Sequence, residues 1–196
     1  MGGEPLLHPR LVELVELVRA SRIAPRISIT TNGLLLDRMP DALWEAIDAL
    51  TISLYPRPAL SVASRTAIEE RAARFQVTLN WKQQDEFVVM TRTNPTNEDA
   101  VTAAIYDSCW IRERCHMVRG GRFYTCTRPP HFQAYYRGQF DFTSDGVALD
   151  AATTAQVYAY LTRTEPLRAC AHCFGGTNAM QPHRLLTRDE LLRARR

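Results

Sequence analysis

Five cysteines are the side chains of this sequence best suited to chemistry, and all of them lie beyond residue 108. They are Cys109, Cys115, Cys126, Cys170 and Cys173. The start of the sequence has no secretory signal pattern, so the thiols favour metal binding or redox chemistry over a disulfide framework. Four thiolates suit either a tetrahedral zinc ion or an iron–sulfur cluster, and their spacing alone leaves both open.

A second candidate site is the tetrapeptide Gly2-Gly3-Glu4-Pro5. Paired glycines let the backbone approach a ligand closely or adopt positive φ, and the carboxylate of Glu4 can accept hydrogen bonds from an ammonium group. Short glycine motifs occur often by chance, however. Taken alone, the tetrapeptide is explained as well by a strand-to-helix turn with a solvated glutamate.

The composition is that of an ordinary globular protein, with 45% hydrophobic and 23% charged residues among 196. The net charge of +3 is small, and apart from the basic end at 193–196 the cationic residues are scattered, which argues against a nucleic-acid partner. No apolar run approaches the roughly 18 residues of a membrane span. We therefore expect a cytoplasmic protein with neither a membrane nor a nucleic acid as its partner.

Helix and strand patterns alternate through the first half of the sequence. Helices are predicted at 9–20, 40–50 and 61–75, and strands at 26–30, 51–55 and 76–81. This alternation predicts an α/β fold with a parallel sheet, in which ligands bind at the carboxyl ends of the strands. The candidate residues fall at those ends. In the second half, a hairpin is predicted at 117–125 and a helix at 151–162.

Three segments in order carry a family resemblance: Gly-Gly-Glu-Pro-Leu-Leu-His-Pro from residue 2, Ile-Thr-Thr-Asn-Gly from residue 29 and Ile-Ser-Leu-Tyr from residue 52. Together they resemble the radical S-adenosylmethionine superfamily. The resemblance implies a partial (β/α) barrel with parallel strands. It also implies that residues 2–5 hold the amino group of S-adenosylmethionine, that Ser53 binds its carboxylate or ribose, and that Asn32 lies close to the site.

The cysteine-rich half resembles the twitch domain, a shortened SPASM domain that is small, α+β and binds an auxiliary cluster. The resemblance implies that Cys109, Cys126, Cys170 and Cys173 hold one 4Fe-4S cluster. Eleven residues separate Cys109 from the glycine of the motif Gly-x-x-x-x-Cys that ends at Cys126, and this matches the family spacing. Only five residues separate Cys115 from that glycine, so Cys115 is left as a spare or substrate-side thiol.

The Cys-x-x-x-Cys-x-x-Cys motif that binds the radical-generating cluster of the superfamily is absent from these 196 residues. We therefore expect an N-terminally truncated chain that is inactive alone, with a second 4Fe-4S cluster in the complete enzyme. The expected domains are a partial barrel at 1–92, without its first strand, and an auxiliary-cluster domain at 93–196.

The resemblance implies that the complete enzyme oxidises or otherwise modifies a small molecule or a peptide by radical chemistry. It also implies an electron donor such as flavodoxin or ferredoxin. No catalytic side chain can be named from the sequence. The alternative is a noncatalytic module that binds zinc or an iron–sulfur cluster through four thiolates, on a degenerate α/β remnant.

Overall fold

The chain folds into two units in the computed structural model, which describes residues 3–175 and 179–190. One unit extends to Phe87 and includes the chain again from Pro182, whereas the other comprises Val88 to Gln181. This division falls a few residues before the predicted boundary between 92 and 93. The segment after Pro182 returns to the first unit because the ring of His183 packs on those of Tyr55 and Phe87.

The first unit is an alternating α/β arrangement. Its helices are α1 (Leu11–Ser21), α2 (Asp41–Ala46) and α3 (Val62–Arg74), and its strands are β1 (Ser28–Thr31), β2 (Ala49–Leu54) and β3 (Thr78–Gln83). These strands form a parallel sheet in the order β1-β2-β3. The predicted α/β class with a parallel sheet is confirmed; closure into a barrel stays a prediction.

The two faces of this sheet differ in chemistry. Successive strand residues point to opposite faces, and Ile29, Leu50 and Ile52 lie on the face that packs into the apolar core with Trp44 of α2 and Ile68 of α3. Leu50 and Ile52 are completely inaccessible to solvent. The opposite face carries polar residues, and it is the face on which Ser53 lies.

The prediction of a second helix at 40–50 is wrong for residues 47–50, because α2 ends at Ala46 and β2 begins at Ala49. The backbone N–H groups of Asp48 and Ala49 both donate to the carbonyl oxygen of Ile27, at 2.9 and 3.2 Å. This pairing with the segment before β1 turns the chain into the sheet, so a tertiary contact overrides the local helical pattern.

The second unit is built from short elements. Its helices are α4 (Asp99–Asp107), α5 (Ile111–Arg114), α6 (Pro129–Tyr135) and α7 (Thr154–Leu161), and its antiparallel sheet contains β5 (Met117–Arg119), β6 (Arg122–Tyr124) and β7 (Val147–Ala148). The predicted hairpin is present as β5 and β6, and the predicted helix as α7. Strands β4 (Glu86–Val88) and β8 (Met180–Pro182) lie where the chain passes between the units. None of the described helices has the length and hydropathy needed to cross a membrane.

Candidate functional site

Glu4 connects the beginning of the described chain to the end of β1. One carboxylate oxygen, Oε1, accepts hydrogen bonds from the backbone N–H of Leu6 at 3.1 Å and from the hydroxyl of Thr31 at 2.7 Å. The other, Oε2, accepts from the backbone N–H of Asn32 at 2.9 Å. Glu4 thereby caps the short 3₁₀ turn Pro5–Leu7 and fixes that turn against the carboxyl end of a strand.

The loop that follows β1 is a tight turn held by side chains. The buried hydroxyl of Thr31 accepts from the N–H of Gly33 at 3.0 Å, and Oδ1 of Asn32 accepts from the N–H of Leu34 at 2.9 Å. Gly33 has a φ of +79°, and a Cβ there would lie 2.9 Å from a methyl carbon of Leu60. Only glycine fits this position without strain, which explains the Asn-Gly pair in the sequence.

The other predicted cofactor-binding residues occupy different places in the first unit. Gly3 has a φ of +82°, and a Cβ built on it would meet nothing within 4 Å, so the space beside it is open. Pro5 begins the 3₁₀ turn. Ser53 is 7% exposed and pairs in register with Lys82 on the polar face of the sheet. Gly2 lies outside the described residues.

The polar face of the sheet is a feature that the motifs alone did not indicate. Register and alternation place seven hydrogen-bonding side chains on it: Ser28, Thr30, Thr51, Ser53, Thr78, Asn80 and Lys82. Two of them already interact, with Nδ2 of Asn80 donating to Oγ1 of Thr51 at 3.4 Å. Parallel sheets usually carry apolar residues on both faces, so this polar face differs from the common pattern. The alternation of polar and apolar residues along each strand was the available sequence signal.

We expect Glu4→Ala to lower the free energy of unfolding of the first unit by about 1–3 kcal/mol, because it removes a charged acceptor from three donors. Glu4→Gln should have a stability between those of the wild type and Glu4→Ala. Its amide keeps one acceptor oxygen, but its NH₂ group would face one of the donors that the second carboxylate oxygen now accepts from. Urea unfolding followed by circular dichroism measures the change. Glu13→Ala is the matched control, because the ion pair of Glu13 with Arg10 is exposed and should contribute little. Equal effects at both positions would contradict the assigned role of Glu4.

Four cysteines from three separate segments line one cavity in the second unit, which we call the thiol cavity. They are Cys109, Cys126, Cys170 and Cys173, and the remaining lining residues are Ile105, Tyr106, Arg112, Arg128, Leu167 and Ala169. All four are free thiols. Cys115, the fifth, does not line this cavity; it ends α5 and is partly buried.

Each thiol of the cavity is positioned by a defined element. Cys109 follows α4, and its N–H donates to the carbonyl of Tyr106 at 3.2 Å, while Cys126 follows the hairpin. Cys170 lies in the 3₁₀ turn Arg168–His172, and Cys173 ends that turn. Two sulfur atoms also accept backbone hydrogen bonds: Cys126 from the N–H of residue 128 at 3.5 Å, and Cys173 from the N–H of residue 175 at 3.1 Å. Such N–H···S contacts stabilise thiolate charge.

Burial controls the ionisation of these thiols. It raises the pKa of Cys126 to about 11 and that of Cys170 to about 12, and it also raises the pKa of Cys173. A metal that binds here therefore has to displace protons from the thiols. Within residues 3–175 and 179–190, no three His, Cys, Asp or Glu side chains lie close enough together to hold a single metal ion.

Asp145 anchors the turn that carries the Cys-x-x-Cys pair. Its side chain is 2% exposed, and its two carboxylate oxygens accept from the N–H groups of Arg168 at 2.7 Å and Ala169 at 2.8 Å. Its carbonyl oxygen accepts from the hydroxyl of Tyr160, which in turn accepts from the N–H of Thr125 at 3.2 Å. This buried network joins the Cys170 turn to the residue before Cys126.

His172 holds the same turn from its other side. It is 5% exposed and is surrounded by aromatic rings, with centroid distances of 4.4 Å to Phe140, 4.9 Å to Tyr136 and 5.1 Å to Phe142. Burial lowers its pKa, so the imidazole stays neutral at pH 7. Sequence reasoning missed this role, although aromatic residues at four-residue intervals, 132, 136 and 140, were a visible signal.

Comparisons with known proteins cover a limited part of the chain. No family model matches it. The GTP 3′,8-cyclase of Chlorobaculum tepidum is 54% identical over 54 residues, which is 27% of this chain and 16% of that protein. The GTP 3′,8-cyclases of Streptomyces coelicolor and Microcystis aeruginosa are 50% and 44% identical, each over 54 residues that make up 27% of this chain and 16% of the relative. The chain thus matches about a sixth of the length of these relatives, and this similarity supports the radical S-adenosylmethionine resemblance.

Proposed function

We propose that this chain is the part of a radical S-adenosylmethionine enzyme that carries an S-adenosylmethionine amino-group site and a twitch-type auxiliary 4Fe-4S cluster. The observation that carries the proposal is the convergence of four thiols from three segments on the thiol cavity. Four thiolates suit either a zinc ion or a 4Fe-4S cluster, and the similarity to radical S-adenosylmethionine enzymes favours the cluster.

The first unit contributes the second part of the proposal. Open space lies beside Gly3, and Glu4 fixes the adjoining turn against the end of β1. We assign the backbone around Gly3 to the amino group of the cofactor and Ser53 to its carboxylate or ribose. Glu4 then acts mainly through the turn, since its oxygens already accept three hydrogen bonds.

The chemistry that S-adenosylmethionine supplies when bound in such enzymes is hydrogen abstraction from a substrate. We infer that this chain binds and orients the cofactor and excludes water, while the polar face with Asn80 and Lys82 offers hydrogen bonds to the substrate. No cysteine lies among the first 108 residues, so the residues of the first unit do not fit the radical-generating cluster.

The substrate and partners follow from the same proposal. The relatives act on GTP, as their name states, and a small molecule is therefore a substrate class consistent with the polar face; a peptide is the other class that twitch and SPASM relatives imply. The predicted protein partner is an electron donor such as flavodoxin or ferredoxin.

Anaerobic reconstitution of the purified chain with iron and sulfide tests the proposal. We expect a brown protein with a broad visible absorption band and about four irons per chain, as a four-thiolate cluster requires. Zinc content is measured in parallel. A colourless protein that binds about one zinc ion would contradict the proposal and favour the noncatalytic zinc module instead.

A further inference from the structure

Two arginines line the thiol cavity together with the four cysteines. Arg128 is a buried cation, only 8% exposed, and Arg112 is partly buried. Neither forms an ion pair within the described part of the chain, where every ion pair involves another arginine. Asp145, the buried carboxylate of this unit, accepts from backbone N–H groups and not from either guanidinium.

The contacts that these guanidinium groups do make are weak. Nη2 of Arg128 donates to the thioether sulfur of Met90 at 2.7 Å, and thioethers are poor acceptors. The guanidinium carbon of Arg112 lies 4.3 Å from the ring centre of Tyr106, and its buried Nε–H has no hydrogen-bond partner among the residues that the structure describes. A cation–π contact offsets part of the cost of burying Arg112, whereas Arg128 has no comparable compensation.

Burying a cation without a counter-charge is strongly unfavourable, so the fold is expected to provide an anion. The same cavity is lined by four thiols, which become thiolates when a metal group binds. A cluster held by four thiolates carries net negative charge, and its negative charge grows by one electron on reduction. A fixed cation therefore stabilises the reduced state more than the oxidised state.

We propose that Arg128, assisted by Arg112, is the counter-charge of the thiol cavity and raises the reduction potential of the cluster bound there. Arg128 touches no substrate in this scheme; it acts on the group held by the cysteines. The inference rests on the proposed function, because it assumes an iron–sulfur cluster in the cavity. It extends that function by assigning to this chain the residue that makes the auxiliary cluster a better electron acceptor.

Redox potentiometry on the reconstituted 196-residue chain, followed by electron paramagnetic resonance of the reduced cluster, tests this inference. Dithionite and ferricyanide serve as reductant and oxidant. In Arg128→Gln, we expect the ratio of oxidised to reduced cluster at a fixed potential to rise at least about tenfold, which is about 59 mV for a one-electron couple. Arg112→Gln should shift the potential in the same direction by less, because its side chain is less buried.

Two further variants separate charge from structure. Arg128→Lys keeps the charge and should stay close to the wild-type potential. Arg114→Gln removes the same charge from an exposed position of α5 and should leave the potential unchanged, because solvent screens it. If Arg128→Gln fails to bind the cluster, Arg128→Lys becomes the test of the charge role. Cluster binding at the wild-type potential in Arg128→Lys supports that role. Loss of the cluster in both variants overturns it.

The possible failures are distinguishable. A wild-type chain that binds no cluster would overturn the proposed function and this inference together. A wild-type chain with about four irons, whose potential is the same in Arg128→Gln as in Arg114→Gln, would overturn the inference alone.

Discussion

Cys109→Ser should abolish binding of the auxiliary cluster, whereas Cys115→Ser should leave it intact. Cys109 lines the thiol cavity with three other cysteines, while Cys115 ends α5 and does not line that cavity. A serine hydroxyl is a poor ligand for iron and stays protonated at neutral pH, so one corner of the cage would be lost. We expect the iron content of the Cys109 variant to fall from about four per chain to near zero.

The two variants are a matched pair, because the same atom is replaced at two positions only six residues apart. Iron and sulfide analysis after anaerobic reconstitution measures the result, and near-ultraviolet circular dichroism of the metal-free proteins checks that both fold. A Cys115 variant that loses its cluster while the Cys109 variant keeps it would reverse the assignment of the first ligand.

Asp145→Ala should destabilise the second unit by about 2–4 kcal/mol, because it leaves the part-buried N–H of Arg168 and the buried N–H of Ala169 without an acceptor. The loss should extend to function, since the turn that these donors begin carries Cys170. We therefore expect reduced cluster uptake even in conditions where the variant remains folded. Asp145→Asn should have an intermediate effect, because its amide retains one acceptor oxygen and turns a donor toward the second N–H.

Asp141→Ala is the control for Asp145. Asp141 is exposed and accepts the N–H of Thr143 at 2.8 Å, so its removal affects a solvated turn only. Urea denaturation of the metal-free proteins gives the free energies of unfolding, and hydrogen exchange of the Cys170 turn locates the effect. Similar losses at the two positions, or normal protection of the Cys170 turn in the Asp145 variant, would contradict the anchoring role.

Much of the first unit could be predicted from its periodic pattern. The helices and strands alternate with clear apolar faces, and the parallel sheet follows from that alternation. The error lay at 47–50, where a helical pattern continues but the chain pairs with the carbonyl of Ile27 instead. A strand gains its hydrogen bonds from a distant segment, so local propensity cannot place its start.

The candidate sites could be predicted in part. The motif with Glu4 and the spacing of the cysteines indicated where ligands could bind. The partners of Glu4, however, are Thr31 and Asn32, almost thirty residues away, and no local pattern indicates them. The burial of Arg128 and the aromatic surroundings of His172 are likewise absent from any spacing rule, because charged and polar residues are usually expected at the surface.

The sequence by itself determined the chemistry that is available: five thiols beyond residue 108, a glycine-rich turn with a carboxylate, and alternating elements that form a parallel sheet. These follow from residue type and local periodicity. The tertiary structure decided which groups meet. It brought Cys109 and not Cys115 to the cavity with the other three thiols, turned Glu4 toward the end of β1, and enclosed Arg128 beside the cysteines. The physical reason is that burial and charge compensation depend on contacts between distant segments, which only the folded chain creates.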